Sequence, residues 1–288
     1  MHDRLRIKLH RMFLLSAMLF SVATHTQAHE FWIEPQDFTP DKGEPLRADI
    51  KVGQKLIGST QAFRPQQFEQ FDVIQGNNQA PVKSNTGDYP AVNEENLSEG
   101  LVILAYTSTP RSLRYSTITA GKFEAFLKKE GIPWVIERHQ QRGLPEKGFT
   151  EAYSRFAKSL VNVGAGGGLD QAIGLELELV MLTNPYADAN KDLAVQLLWQ
   201  GKPLPDAQLN VFFKPQQSPD SESARVLYQT DQQGVATILR PDKAGMMLLN
   251  AVHMIEPDAQ TILKTGAVWE SLWASTTFAI EDHSGVPD

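Results

Sequence analysis

The sequence predicts a mainly β protein: two immunoglobulin-like or prealbumin-like β-sandwich units with a short helical insert between them. Three observations predict it. Short runs early and late in the chain alternate apolar and polar residues, the period of half-buried strands. The 20 glycines and 17 prolines punctuate those runs with turns. From Gly121 onward, near the middle, the apolar spacing becomes helical. The expected organisation is a signal peptide over 1–28, an N-terminal sandwich over 29–120, a helical insert and Gly-rich linker over 121–170, and a C-terminal immunoglobulin-like sandwich over 171–288.

The first segment has the pattern of an export signal. Arg4, Arg6, Lys8 and Arg11 precede an apolar run over 12–23, which is too short for a stable membrane span. Thr26-Gln27-Ala28 is a small-residue cleavage site that leaves His29 as the first mature residue. Ser21-Val22-Ala23 competes with it and would leave Thr24 first. The mature chain is therefore expected in the periplasm, with no membrane span after processing.

In the first unit, Phe31, Trp32 and Ile33 suit a strand limited by Pro35. Alternation predicts strands over 46–52 and 67–74, the latter closed by the turn Gly76-Asn77-Asn78. The run 101–106 reads as a buried strand, followed by another over 112–118. In the insert, Phe123, Phe126 and Leu127 have helical spacing, and Pro133 suits the first position of a second helix. Thr150 is expected to cap a third helix over 151–160, with Tyr153, Phe156, Ala157 and Leu160 on one face. Gly164-Ala165-Gly166-Gly167-Gly168 lacks the Lys-Ser or Lys-Thr of a phosphate loop and the last glycine of a dinucleotide fingerprint. It reads as a flexible linker. Strands are expected over 175–183, 194–199, 209–213, 226–230, 235–239, 245–254 and 266–280.

Composition excludes several functions. There is no cysteine, so disulfides, thiolate nucleophiles and cysteine–zinc sites are out. Loss of residues 1–28 lowers lysine plus arginine from 27 to 23 and acidic residues from 34 to 33, taking the formal net charge from −7 to −10. That argues against nucleic acid and anionic membrane surfaces as partners. Gly-x-Ser-x-Gly and His-Glu-x-x-His are absent, and no acid–base pair has a marking spacing, so no catalytic residue is assigned and a non-enzymatic role is favoured.

Three residues stand out as metal ligands. A terminal His29 offers its amine and imidazole together, and a second histidine would complete a three-nitrogen set suited to Cu(II) or Ni(II). His253 lies in the apolar run Leu248-Leu249-Asn250-Ala251-Val252-His253-Met254. Strand alternation gives it the same face as Leu249 and Ala251 and sends Met254 to the other. Glu270, in Trp269-Glu270-Ser271-Leu272-Trp273, shares parity with Leu272, Phe278 and Ile280 and so starts on the core side. A carboxylate there needs a cation, hydrogen-bond donors or a metal-bound histidine, unless the strand end reaches water. His139 is expected at the surface of the helical region and His283 in the tail.

Six stretches together resemble the family of exported bacterial proteins known as domain of unknown function 4198. They are His29-Glu30-Phe31-Trp32-Ile33-Glu34-Pro35, Lys122-Phe123-Glu124-Ala125-Phe126-Leu127, Tyr153-Ser154-Arg155-Phe156-Ala157-Lys158, Gly174-Leu175-Glu176-Leu177-Glu178, Ala251-Val252-His253-Met254 and Trp269-Glu270-Ser271-Leu272-Trp273-Ala274. The resemblance implies a periplasmic component of nickel or cobalt uptake. It matches His29 to the histidine after the family's signal peptide and His253 to that of its Ala-Val-His-Met strand. The expected function is therefore periplasmic binding of a transition-metal ion (nickel, cobalt or copper) through His29, with His253 as third nitrogen and Glu270 as ligand or support, as the soluble accessory of a membrane uptake system. Two other readings stand beside it. One is a copper-dependent oxidative enzyme on a polysaccharide, for which Trp32, Trp269 and Trp273 could supply a flat aromatic surface, although packing in the core is the favoured place for them. The other is a metal-free binding module for a surface partner or carbohydrate.

Overall fold

A computed structural model describes residues 29–116, 121–187, 191–218 and 222–281. The export signal and His283 lie outside the described residues. The protein is mainly β, with open sheets in layers. A nine-stranded sheet forms the centre. Its path runs β14 (Arg225–Gln229), β13 (Gln208–Pro215), β16 (Gly245–Ile255), β17 (Trp269–Ile280), β9 (Phe149–Val163), β7 (Gly100–Ser108), β4 (Phe68–Gln75) and β5 (Asn78–Pro81), and β8 (Arg111–Tyr115) pairs with the start of β9. Every pairing in it is antiparallel except that of β17 with β9. The strands of the two expected sandwich units thus belong to one sheet, joined through β9 of the expected insert, which meets β17 at a parallel seam.

A smaller sheet covers each face. On one side lie β1 (Glu30–Pro35), β2 (Leu46–Gln54), β3 (Ile57–Gln61) and β6 (Val92–Glu94). Phe31, Ile33, Leu46, Ala48 and Ile50 of this sheet pack on Val102, Leu104, Ala157 and Val161 of the centre. The same face carries α1 (Lys122–Lys129) and α2 (Trp134–Gln141), whose Phe126, Leu127 and Val135 pack with Val252, Met254, Trp269 and Trp273. On the other side lie β10 (Leu177–Met181), β11 (Leu193–Trp199), β12 (Lys202–Pro203) and β15 (Val235–Ile238). Leu177, Leu179, Val195 and Leu197 bury against Phe156, Leu160, Leu249, Leu272 and Phe278.

One expected element is overturned: the helix over 151–160 is the middle of β9, a strand from Phe149 to Val163. Tyr153, Phe156, Ala157 and Leu160 do not share a face. Phe156 and Leu160 join the core under β10 and β11, and Ala157 joins the core under β1 and β2. A strand covered on both faces loses its two-residue period, and its apolar residues then mimic helical spacing. Edges decide the matter, because β17 pairs along one side of β9 while β8 and β7 pair along the other. The unexpected helix α3 (Ala259–Thr265) has a clear start, with the Asp258 side chain accepting from the Thr261 N–H, and ends at Gly266 with φ +66°.

The glycine run is closely packed instead of acting as a free linker. A Cβ added at Gly166 would lie 2.2 Å from the Gly100 nitrogen, and Gly167 accepts a hydrogen bond from the Leu101 N–H at 3.3 Å. Backbone approaches backbone here, and a side chain cannot yield the space. Gly166→Ala should therefore cost about 1–3 kcal/mol of stability, the range for overpacking. Urea unfolding checks it, and an unchanged midpoint would mean that the two segments separate easily.

Lys158 is fully buried on β9, 1% exposed. Its ammonium is 2.6 Å from Asp170 and 3.2 Å from Glu178. Those carboxylates also accept backbone N–H bonds, Asp170 from Gln171 and Met181, and Glu178 from Ile173, Gly174 and Leu175. The cluster therefore pins the segment between β9 and β10 to the central sheet.

Candidate functional site

The register of β16 and β17 builds the site. His253 pairs with Leu272, and Ile255 pairs with Glu270. Paired residues project to the same face, so the His253 and Glu270 side chains are diagonal neighbours within reach of each other. That face continues through Ala251, Leu249 and Leu272, as alternation predicts. Beyond the edge of β10 and β11 the cover ends, and a recess of about 550 Å³ opens. Glu176 before β10, Trp199 at the end of β11, Trp134 of α2, and Glu256, Asp258 and Thr261 around α3 complete its walls.

Burial sets the chemistry of the recess. The His253 ring lies 4.6 Å from the Trp199 ring, and its Nε2 is buried without a hydrogen-bond partner. Desolvation pushes the imidazole down to about 4, so it is neutral near pH 7. Glu270 is 8% exposed. Its pKa is raised first by burial and then by the Glu176 and Asp258 carboxylates, against a hydrogen bond with Thr261. Glu256 is held by Arg138 at 2.7 Å and Arg142 at 3.5 Å. The Trp199 indole Nε1 is also buried without a partner. The arrangement offers a neutral nitrogen lone pair, carboxylates and aromatic walls, a set suited to a cation.

His29 lies elsewhere. It precedes β1, and its carbonyl accepts a bond from Arg155 Nη2 at 3.4 Å. Arg155 pairs with Trp273, one residue out of phase with the Ser154–Leu272 and Leu272–His253 pairs. It therefore sits on the opposite face of the central sheet from His253. The bond from Thr277 Oγ1 to the Ile33 carbonyl, at 2.6 Å, ties β1 to that same face. The structure brings His253 and Glu270 together and separates both from His29, so the two imidazoles do not share an ion. Next to His29, Glu30 is buried and meets Lys129 at 3.3 Å, as does Glu130. Among the described residues, no group of three or more His, Asp or Glu is placed to hold a metal.

Two further expectations are resolved. His139 is not at the surface: it is 7% exposed. Its Nδ1 accepts from Trp269 Nε1 at 2.9 Å, which leaves the proton on Nε2 to donate to the Pro145 carbonyl at 3.0 Å. It lies on the inner face of α2, packed on Phe149 and Trp269. Trp32, Trp269 and Trp273 are core residues, 0%, 0% and 6% exposed, and form no flat aromatic surface. Sequence reasoning missed Glu176, Trp199, Asp258 and Thr261. Only Asp258 carried a local signal, as the cap of α3 with Gly266 beyond its end.

The described residues form layered open sheets with an acidic, aromatic-walled recess. The chain belongs to the DUF4198 family, a domain of unknown function, matched over residues 26–255. The match includes His29 and His253 and ends before Glu270. Comparison with curated proteins gives no match. Among solved structures, the β-glucuronidase of Parabacteroides merdae is similar over 76% of this chain at 10% identity and a TM-score of 0.17, and the chain spans 23% of that protein's length. No helix among the described residues is long and apolar enough to cross a membrane.

Proposed function

We propose that the protein is an exported binding protein for a transition-metal ion, nickel, cobalt or copper, which it holds in the His253–Glu270 recess and passes to a membrane uptake system. The observation that carries this reading is the buried, unpartnered Nε2 of His253 beside the Glu270 carboxylate. A buried polar atom without a partner costs about 1–3 kcal/mol, and a cation that takes its lone pair removes that cost. Burial keeps the imidazole neutral and ready to donate, and the carboxylates at the rim attract cations. Two protein donors leave the remaining coordination positions to water or to a receiving partner. Such a site suits cargo that must be released. At His29 the Arg155 guanidinium donates to the carbonyl, a nearby cation that works against a metal there.

Titration calorimetry with Ni(II), Co(II) and Cu(II) at neutral pH tests the reading. His253→Gln should weaken binding by about tenfold or more, the loss of one donor being worth at least about 1.4 kcal/mol. An extra residue before His29 should leave binding unchanged. The opposite pattern, in which the extension abolishes binding and His253→Gln does not, would place the metal at the terminal amine and defeat this assignment.

A further inference from the structure

On the face of the central sheet opposite His253, three arginines line a second recess. Arg155 reaches it from β9, Arg111 from β8, and Arg64 from the segment before β4. With Phe31, Tyr106 and Ser108 they line a cavity of about 40 Å³. Arg155 lies 5.4 Å from the Phe31 ring and 5.3 Å from the Tyr153 ring, which fixes its plane. A guanidinium has five N–H donors. Among the described residues, that of Arg155 makes one hydrogen bond, long at 3.4 Å, to the His29 carbonyl. Of the titratable groups that act on it, Tyr153, Arg111 and Tyr106, only Arg111 is charged near neutral pH, and none is a carboxylate. Neither Arg64 nor Arg111 has an ion pair among the described residues. Three arginines lining one recess without an ion pair among the described residues, on a chain of formal net charge −7, leave a place for an anion.

We propose that this recess binds an oxyanion, the carboxylate or phosphate group of a small molecule, which pairs with the fork of Arg155 while Arg111 and Arg64 close on it. The fork matches two oxygens of one group, and the flanking rings hold it in place. Ser108 Oγ accepts from the Arg155 backbone N–H at 2.9 Å, so its own proton is available to the anion. Tyr106 is already committed to the Gln67 carbonyl at 3.0 Å and serves as wall. The cavity has room for about three waters at roughly 10–15 Å³ each, which fits a single oxyanion group and no larger body.

The test is calorimetry of the full chain with sodium phosphate and with sodium acetate, against sodium chloride at matched ionic strength. Saturable binding of one anion is expected, weakened about tenfold or more in Arg111→Gln and in Arg155→Lys, which keeps the charge and loses the fork. Arg111 is exposed, so its variant should keep the wild-type melting temperature and serve as the folding control. Saturation by acetate alone identifies a carboxylate ligand, and saturation by phosphate alone a phosphoryl group. Failure of both anions to saturate, or equal affinity in wild type and both variants, overturns the assignment.

Discussion

Lys158→Met should lower the unfolding free energy by about 3–5 kcal/mol at neutral pH, the range for breaking a buried ion pair by removing one partner. The substitution keeps the length of the side chain and so creates little cavity. Its cost comes from leaving Asp170 and Glu178 buried without their cation. Their side chains are 0% and 1% exposed, so water cannot replace the ammonium. The backbone N–H groups that both carboxylates accept would remain, which limits the loss. A variant that also carries Asp170→Asn and Glu178→Gln should recover much of the stability, since no buried charge is then unpaired. Urea unfolding measures both. A loss below about 1 kcal/mol in Lys158→Met would show that the cluster is worth no more than a surface pair.

Glu151 sets the second large effect. It is fully buried between α1, α2 and the sheet, where Tyr115 donates to it at 2.6 Å and Ser271 donates to its other oxygen. Trp273 Nε1 extends the chain to Ser271 at 3.0 Å. Burial raises its pKa from 4.5 to about 7, and the two hydroxyl donors oppose the rise. The folded state therefore holds the proton more tightly than the unfolded state. Stability from this group is fully present below about pH 4.5 and is lost as pH rises through about 7. The span corresponds to about 3 kcal/mol at 1.36 kcal/mol per unit. Relative to Glu151→Gln, which cannot titrate, the wild type should lose about that much between these limits. Unfolding curves at a series of pH values for the two proteins give the difference, and parallel profiles would mean that the carboxylate is solvated in the folded protein.

The strands that cover one apolar face were legible in the sequence, because a strand with one dry side keeps its two-residue period. Leu46 to Gln54 is such a case, alternating buried and more exposed positions along β2. β9 was not legible, because layers on both its faces bury successive positions, the whole of Phe156 to Val161 including Lys158, and erase the period. Half of the site followed from parity alone: Glu270 faces the side of Leu272, and His253 the side of Ala251. Their proximity needed the pairing register of β16 with β17, which no local pattern encodes. Trp199 and Glu176 reach the recess from segments more than fifty residues away in the chain. The separation of His29 from His253 was equally hidden, since it depends on which face of the central sheet receives β1.

The parallel seam between β9 and β17 has a consequence for how the chain acquires its structure. β9 stands near the middle of the sequence, and its partner is the last strand described. The bond from Thr277 to Ile33 spans 244 residues. Contacts of such long separation close slowly, because loop entropy is lost before any packing is gained. Until β17 is made and delivered, one edge of β9 presents unpaired N–H and C=O groups, a template for wrong pairing with another chain. The final strand therefore acts as a latch: the first half of the protein stays open to misassembly until the C-terminal end of the sheet arrives and closes it.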